Sequence, residues 1–146
     1  MTPMDIALEE ARAAAQRGEV PVGAVVTDAS GAVLARAGNR VEQARDPSAH
    51  AEMLALRAAA AHLGHKHLGE TTLWVTLEPC AMCAQAASLF RVGRIVFGAY
   101  DPKGGGVEHG ARVFAHPQCH HAPEVVGGVR ESDAAALLRD FFSARR

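Results

Sequence analysis

The sequence predicts a layered α/β fold, because strand and helix patterns alternate along the chain. Short runs rich in β-branched residues predict strands, and longer runs whose apolar residues recur every three or four positions predict helices. Two strand–helix–strand alternations follow one another in the middle of the chain, an order typical of a sheet covered by helices. With 146 residues, of which 49% are hydrophobic, the chain is long enough for one domain over residues 1–146 with its own core.

The predicted elements can be placed in order. Thr2 caps a first helix that has Pro3 at its first position, and Gly18 ends this helix. Residues 28–31 form the turn of a hairpin between the first two strands. A polar loop that ends at residues 46–48 precedes the second helix. The five predicted strands cover residues 20–27, 32–37, 71–77, 94–98 and 124–128, and the later helices cover residues 49–63, 80–90 and a segment that begins at Ser132.

Composition limits the classes to which the protein belongs. Fifteen basic and 16 acidic side chains give a formal net charge of −1 at pH 7, which neither indicates nor excludes a polyanionic partner. Residues 1–17 contain three acids instead of the basic and apolar regions of a secretory signal, and we expect no signal peptide and no membrane span. The three cysteines form no dense disulfide framework, so we expect a reducing, cytoplasmic location.

Two short motifs together predict a hydrolytic zinc site. His50-Ala51-Glu52 is followed, thirty residues after the histidine, by Pro79-Cys80-Ala81-Met82-Cys83. The two cysteines lie three residues apart on the first turn of a predicted helix, so their sulfurs share one face, and the positive end of the helix favours thiolates. A structural zinc ion normally has four protein ligands, whereas a catalytic one keeps a position for water. We therefore expect His50, Cys80 and Cys83 to bind zinc, and Glu52 to transfer protons.

Other cysteines and histidines give weaker signals. A CxxC pair taken alone fits a structural zinc site or a redox pair as well as it fits catalysis. Cys119 would complete a closed structural site, but Glu52 would then have no role, so we expect Cys119 to be a bystander. Solvated or helix-capping histidines are far commoner than ligands, and we assign to metal none of the histidines at positions 62, 65, 67, 120 and 121.

Two further segments have structural as well as functional interpretations. The glycines at 104–106 lack the lysine and the strand–loop–helix context of a phosphate-binding loop, so we expect a mobile flap at the active site. Phe141 and Phe142 follow Leu137 and Leu138 at helical spacing on the last predicted helix, and we expect at least one of the two phenylalanines to belong to the core.

The combination of H-x-E with P-C-x-x-C is similar to the pattern of the zinc nucleobase deaminases. Within that superfamily, residues 19–25, 46–53 and 74–83 resemble the tRNA wobble-adenosine deaminases, and the likeness extends through residues 140–142 to Arg145-Arg146. It thus covers essentially the whole chain. The metal motifs are specific for the superfamily, whereas residues 19–25 and 46–53 are only moderately specific within it.

The resemblance implies a cytidine-deaminase-like fold with three layers, α/β/α, around a central mixed five-stranded sheet. It also implies a homodimer with substrate sites near the subunit interface, and hydrolysis of adenosine to inosine at the wobble position of a tRNA anticodon loop, with release of ammonia. The matching residues are His50, Cys80 and Cys83 for one Zn²⁺ per subunit, Glu52 for proton transfer, Asn39 and the Ala51 backbone for the flipped base, Asp101 and Lys103 for neighbouring nucleotides, and Phe142 and Arg145 for RNA contacts.

One segment departs from the tRNA enzymes. Where they have small residues and a serine, residues 104–110 place Glu108 and His109 beside the expected RNA path. An acid there repels phosphate, although one exposed charge is worth only about 1 kcal/mol or less under salt screening. Two alternatives therefore stay open: a deaminase of a free nucleobase or nucleoside, such as guanine, cytosine or an adenine derivative, and a non-catalytic, zinc-stabilised subunit of a heteromeric enzyme. The presence of Glu52 disfavours the second alternative.

Two substitutions separate metal binding from proton transfer. We expect Glu52→Ala to keep zinc yet abolish turnover, because the carboxylate moves protons and binds no metal. We expect Cys83→Ala to lose zinc, because two ligands hold the ion poorly. Metal analysis of the purified variants, beside an assay of ammonia release, measures both effects. Full activity of Glu52→Ala would show that the proton-transfer role is assigned to the wrong residue.

Overall fold

A mixed five-stranded sheet forms the centre of the protein. The structure is a computed structural model that describes residues 1–145, so Arg146, at the end of the family likeness, lies outside it. The strands lie in the order β2-β1-β3-β4-β5. Both β2 and β3 run antiparallel to β1, whereas β3, β4 and β5 run parallel to one another. The strand bounds are β1 Gly23–Thr27, β2 Val33–Gly38, β3 Thr72–Leu77, β4 Arg94–Ala99 and β5 Glu124–Val126.

Helices cover both faces of this sheet. The helices are α1 Pro3–Gln16, α2 Val41–Ala44, α3 Ala51–Leu63, α4 Ala81–Leu89 and α5 Glu131–Ser143, and a 3-10 turn spans Val113–Ala115. Helices α1 and α5 pack on one face, and α3 and α4 pack on the other. The three-layer α/β/α fold with a mixed five-stranded sheet is therefore confirmed. Among residues 1–145, no helix has both the length and the hydrophobicity that a membrane span requires.

Each face of the sheet has its own apolar core. Phe97 and Leu56 are fully buried between the sheet and the α3–α4 layer, and Met4 and Leu8 fill the layer beneath α1. Helix α1 crosses the sheet at very close range: a Cβ atom at Gly23 would lie 1.9 Å from the Ala7 carbonyl oxygen. Only glycine fits at the start of β1, and this contact fixes α1 against the strand that precedes the site.

Short sequence patterns predicted the ends of most helices and strands to within a few residues of their positions in the structure. Thr2 caps α1 as predicted, and the carboxylate of Asp28 accepts hydrogen bonds from Ser30 and Ala32 in the predicted hairpin turn. Strand β5 ends at Val126, two residues before the predicted end, and Gly128 has a φ of 81°, outside the extended region. The polar-loop prediction before residues 46–48 was wrong for Val41–Ala44, which form the short helix α2.

Candidate metal centre

The three predicted metal ligands meet where α3 and α4 begin. His50 is the N-cap residue of α3, Cys80 is the N-cap residue of α4, and Cys83 lies in the first turn of α4. The Nδ1 atom of His50 lies 3.6 Å from the Cys80 Sγ atom and 3.5 Å from the Cys83 Sγ atom. Neither N-cap side chain makes a capping hydrogen bond to its own helix. The imidazole and the sulfur are therefore directed at each other and not at the backbone.

These distances fit a tetrahedral zinc ion. Bonds of about 2.1 Å to nitrogen and about 2.3 Å to sulfur, at a tetrahedral angle, place the two ligand atoms about 3.6 Å apart. The three ligand atoms all lie within 4.8 Å of one another, and within residues 1–145 no further His, Cys, Asp or Glu joins the group. A tetrahedral ion held by these three residues keeps one position open, which is the arrangement of a catalytic zinc site.

Cys119 and its neighbouring histidines lie apart from this cluster, as expected. The Cys119 Sγ atom is 3.4 Å from the Ser88 Oγ atom and donates to the His121 carbonyl oxygen at 3.2 Å. The Nε2 atom of His121 lies 2.6 Å from the carbonyl oxygen of Val92. These contacts tie the segment before β5 to the end of α4, which is a structural role.

Glu52 lies beside the cluster in the first turn of α3. Its side chain is buried, and its Oε1 atom has no hydrogen-bond partner within the part of the chain that the structure describes. Burial raises the pKa of Glu52 to about 7. A buried carboxylate oxygen without a hydrogen bond is energetically unfavourable unless a substrate or water group donates to it. The position of the Glu52 Oε1 atom therefore indicates where the reacting groups bind.

The metal-binding motif identifies the family. Residues 2–99 match the family described as the cytidine and deoxycytidylate deaminase zinc-binding region. The chain belongs to this family. It is thus a zinc-dependent deaminase, and the His/Cys/Cys cluster found within residues 1–145 accounts for one Zn²⁺ per subunit.

Relatives of this deaminase differ in the substrates named for them. A tRNA-specific adenosine deaminase of Agrobacterium fabrum (strain C58) is 51% identical over 143 residues, which cover 98% of this chain and 93% of that protein. A solved structure from a study of A-to-I editing by tRNA:A34 deaminases at the wobble position superposes with a TM-score of 0.91 at 51% identity, covering 93% of this chain and 98% of the other. The guanine deaminase from Nitrosomonas europaea superposes with a TM-score of 0.84 at 27% identity, covering 97% and 83%.

A cavity of about 770 Å³ opens beside the metal cluster of the deaminase. Asn39 lines this cavity, and its Oδ1 atom accepts a hydrogen bond of 2.8 Å from the Ala51 N–H. This bond leaves the Asn39 amide NH₂ group as a donor at the cavity wall. We predicted that the Ala51 backbone contacts the base together with Asn39; its N–H donates to Asn39 and orients that side chain.

The other predicted substrate contacts divide into two groups. Asp101 and Arg145 line the cavity, whereas Lys103 and Phe142 are exposed outside its lining. Phe141 lines the cavity instead of Phe142, and the guanidinium carbon of Arg145 lies 3.5 Å above the Phe141 ring. The expectation that at least one phenylalanine is buried is confirmed by Phe141. The α5 end thus contributes an aromatic wall to the deaminase cavity.

Sequence reasoning missed two buried carboxylates beside the cavity, Glu19 and Glu78. The Glu19 carboxylate accepts hydrogen bonds from the backbone N–H groups of Glu42 and Gln43, at 3.0 and 2.9 Å, and so caps α2. The only signal in the sequence is an acid that directly adjoins apolar strand residues. Burial raises the pKa of Glu78, but hydrogen bonds from the Asp101 backbone and the His109 side chain outweigh this effect, so the pKa lies below its ordinary value.

The glycine-rich segment is anchored, in contrast to the mobile flap that the sequence predicted. The Gly106 N–H donates to the Pro79 carbonyl oxygen at 2.8 Å. A Cβ atom at Gly106 would lie 2.5 Å from the Ala81 nitrogen, and one at Gly105 would lie 2.5 Å from the Glu78 carboxylate. These glycines therefore allow close approach to the start of α4, rather than free movement.

Metal removal is expected to leave one reactive thiolate. In the metal-free protein, a hydrogen bond from the Cys83 thiol lowers the pKa of Cys80 to about 4, and the same bond raises the pKa of Cys83. Because the thiolate is the reactive form, iodoacetamide should label Cys80 at a rate that stops rising above about pH 5. Zinc should protect Cys80 and leave the labelling of Cys119 unchanged. Peptide mass spectrometry after timed labelling measures both rates, and preferential labelling of Cys83 would contradict the assignment.

Proposed function

We propose that this deaminase converts adenosine to inosine at the wobble position of tRNA. The observation that carries the proposal is the 51% identity to a relative named as a tRNA-specific adenosine deaminase, which spans the metal cluster, the cavity and the terminal helix. The reaction consumes one water and releases one ammonia: the bond between the ring carbon and the exocyclic amino nitrogen breaks, and a C=O bond forms at the same carbon.

The metal would activate the water, and Glu52 would transfer the protons. His50, Cys80 and Cys83 would hold zinc, which when bound supplies a Lewis acid that activates water for attack on the ring carbon. Glu52 collects the proton that the water gives up, because its free oxygen lies in the buried space beside the ligands. The same carboxyl group delivers that proton to the ring nitrogen, then takes the proton left on the attacking oxygen and passes it to the departing amine. It therefore acts as base and then as acid.

Asn39 supplies a fixed donor for the base. Enzymes that act on a base within nucleic acid take it out of the stack and recognise its edge by hydrogen bonds in a pocket. The Asn39 amide is held by the Ala51 N–H, so its remaining donor keeps one direction at the cavity wall. Phe141 adds an apolar wall to the same cavity. Together these residues would hold the flipped adenine in place.

Residues at and beyond the cavity wall have the chemistry to bind the nucleotides on either side of the target adenosine. The cavity of about 770 Å³ falls in the range of pockets for ligands much larger than one base. Asp101 and Arg145 lie at its wall, and the exposed Lys103 and Phe142 lie beyond it. A cation and an aromatic ring outside the pocket are the groups that bind phosphates and stacked bases of single-stranded RNA. We propose that these four residues contact the anticodon loop.

Deamination of a free base such as guanine is the second candidate function. The likeness to a guanine deaminase structure favours it, as does the acid Glu108 on the segment beside the cavity. The Glu108 N–H donates a hydrogen bond to the Glu78 carboxylate. The Glu108 side chain is exposed and takes part in none of the ion pairs found within residues 1–145.

The non-catalytic alternative has no support, because Glu52 is present and buried at the cluster.

We further propose that the chain acts as a cytoplasmic homodimer of a single domain, residues 1–146. Met82 and Leu89 lie seven residues apart on α4, with 38% and 66% of their surface exposed. This spacing places them on one helix face, and α4 also carries Cys83. A second copy packed on this face would bury both side chains and lie close to the metal cluster.

The proposed cytoplasmic location rests on a separate observation. A reducing compartment fits the three free cysteines and the proposed tRNA substrate.

A direct assay decides between the two substrates. We expect the zinc-loaded protein to release ammonia from an anticodon stem-loop with adenosine at the wobble position, and to form inosine there. Free guanine, cytosine, adenosine and cytidine should give no product. A stem-loop with guanosine at the same position and the Glu52→Ala variant are the matched controls. Turnover of a free base alone would keep the zinc chemistry and refute the tRNA substrate.

Dimer formation is tested separately by sedimentation. We expect the protein to sediment at twice the chain mass, and Leu89→Glu to sediment as a monomer, because a charge in an apolar contact costs several kcal/mol. Val33→Glu is the matched control, since Val33 is 43% exposed on the outer strand β2. A wild-type protein that stays monomeric at micromolar concentration, or dimers of unchanged affinity in Leu89→Glu, would refute this interface.

A further inference from the structure

Glu78 is a buried carboxylate that the proposed chemistry does not use. Its side chain is fully inaccessible to solvent. Its Oε2 atom accepts hydrogen bonds from three successive backbone N–H groups, those of Val107, Glu108 and His109, at 3.2, 2.9 and 3.0 Å. Its Oε1 atom accepts from the Asp101 N–H at 3.0 Å and lies 2.8 Å from the His109 Nδ1 atom. All five partners belong to residues 101–109, which we call the cavity loop.

The cavity loop is thereby fixed relative to the metal ligands. Glu78 precedes Cys80 by two residues, and Gly106 is bonded to Pro79 between them. A side chain at Gly106 would have no room between the loop and the start of α4. A displacement of the loop would break several hydrogen bonds to a carboxylate that water cannot reach, which is unfavourable.

The cavity loop also holds predicted substrate contacts in a defined geometry. Asp101 lines the cavity, and its Oδ1 atom accepts hydrogen bonds from the N–H groups of Lys103 and Gly104, at 3.2 and 3.0 Å. The Asp101 N–H is itself bonded to Glu78. One chain of hydrogen bonds therefore connects the turn that carries Cys80 with the backbone that presents Lys103.

We propose that Glu78 and His109 are positioning residues. Their hydrogen bonds, which we call the clamp, hold the cavity loop against the segment that carries Cys80. Asp101 and Lys103 can then bind the substrate at a fixed position relative to the metal ligands. The nature of the substrate rests on the proposed function, whereas the clamp does not. His109 contributes the only side-chain donor to Glu78 among the described residues, and its ring packs edge-on to Tyr100 with centroids 6.1 Å apart. It binds no metal and lies outside the cavity lining.

The substitution His109→Ala removes the side-chain donor and leaves the backbone N–H bonds. We expect the KM for the anticodon stem-loop to rise about tenfold while kcat changes less than about twofold, because the loop positions the substrate and takes no part in proton transfer. His109→Asn should return the KM to within about threefold of wild type, since its side-chain NH₂ can replace the Nδ1 donor. His65→Ala, at an exposed histidine after α3, is the matched control and should leave both constants unchanged.

Metal content, melting temperature and amide exchange complete the test. Zinc content and Tm should stay at wild-type values in both His109 variants, while the amides of residues 107–109 should exchange about tenfold faster in His109→Ala than in His109→Asn. An unchanged KM in His109→Ala would overturn the proposal. Loss of zinc, a proportional fall of kcat, or failure of His109→Asn to restore the KM would also overturn it, because each indicates a general structural role.

The clamp and the proposed function fail in different ways. If the wild type acts on a free base and leaves the stem-loop unchanged, the tRNA function is refuted. The amide exchange of residues 107–109 in His109→Ala and His109→Asn, which needs no substrate, then tests the clamp, and equal exchange rates in the two variants would overturn it. Glu78→Gln offers a second variant: its amide NH₂ faces N–H donors, so it should raise the KM at least as far as His109→Ala. Wild-type constants in Glu78→Gln would overturn the role of Glu78.

Discussion

The active site depends on the meeting of two helix N-termini on one side of the sheet. His50 and Cys80 occupy the N-cap positions of α3 and α4, yet neither side chain caps its helix. A lost N-cap hydrogen bond costs about 1 kcal/mol per helix, so the site is assembled at some expense to local stability. The gain is electrostatic, because the positive ends of both helices favour thiolates and a carboxylate where the metal is bound.

Buried acids around the cavity have opposite roles that depend on their partners. Glu52 keeps an oxygen without a hydrogen bond and has a raised pKa, which suits proton transfer. Glu19 and Glu78 are buried to a similar degree, but backbone N–H groups surround their oxygens. The first carboxylate is thus left reactive, whereas the other two organise loops. Burial alone does not distinguish the roles; the number of donors does.

Prediction from sequence succeeded where a local pattern determines the structure. The strand and helix periods, the Thr2 cap and the spacing of His50, Cys80 and Cys83 were sufficient for the fold and the metal cluster. Helix α2 was missed because its cap comes from Glu19, more than twenty residues earlier in the chain. The anchoring of the glycine-rich segment was missed for a similar reason. Its cause is the Glu78 carboxylate, 29 residues before Val107 in the chain, and no local pattern encodes such long-range contacts.

The capping of α2 by Glu19 has a consequence for how such a site can diversify. Glu19 binds the backbone N–H groups of residues 42 and 43 and makes no use of their side chains. Val41 and Glu42 nevertheless line the cavity. This part of the rim can therefore exchange side chains while its backbone stays in place, so mutation can sample new substrate preferences without disturbing the metal ligands.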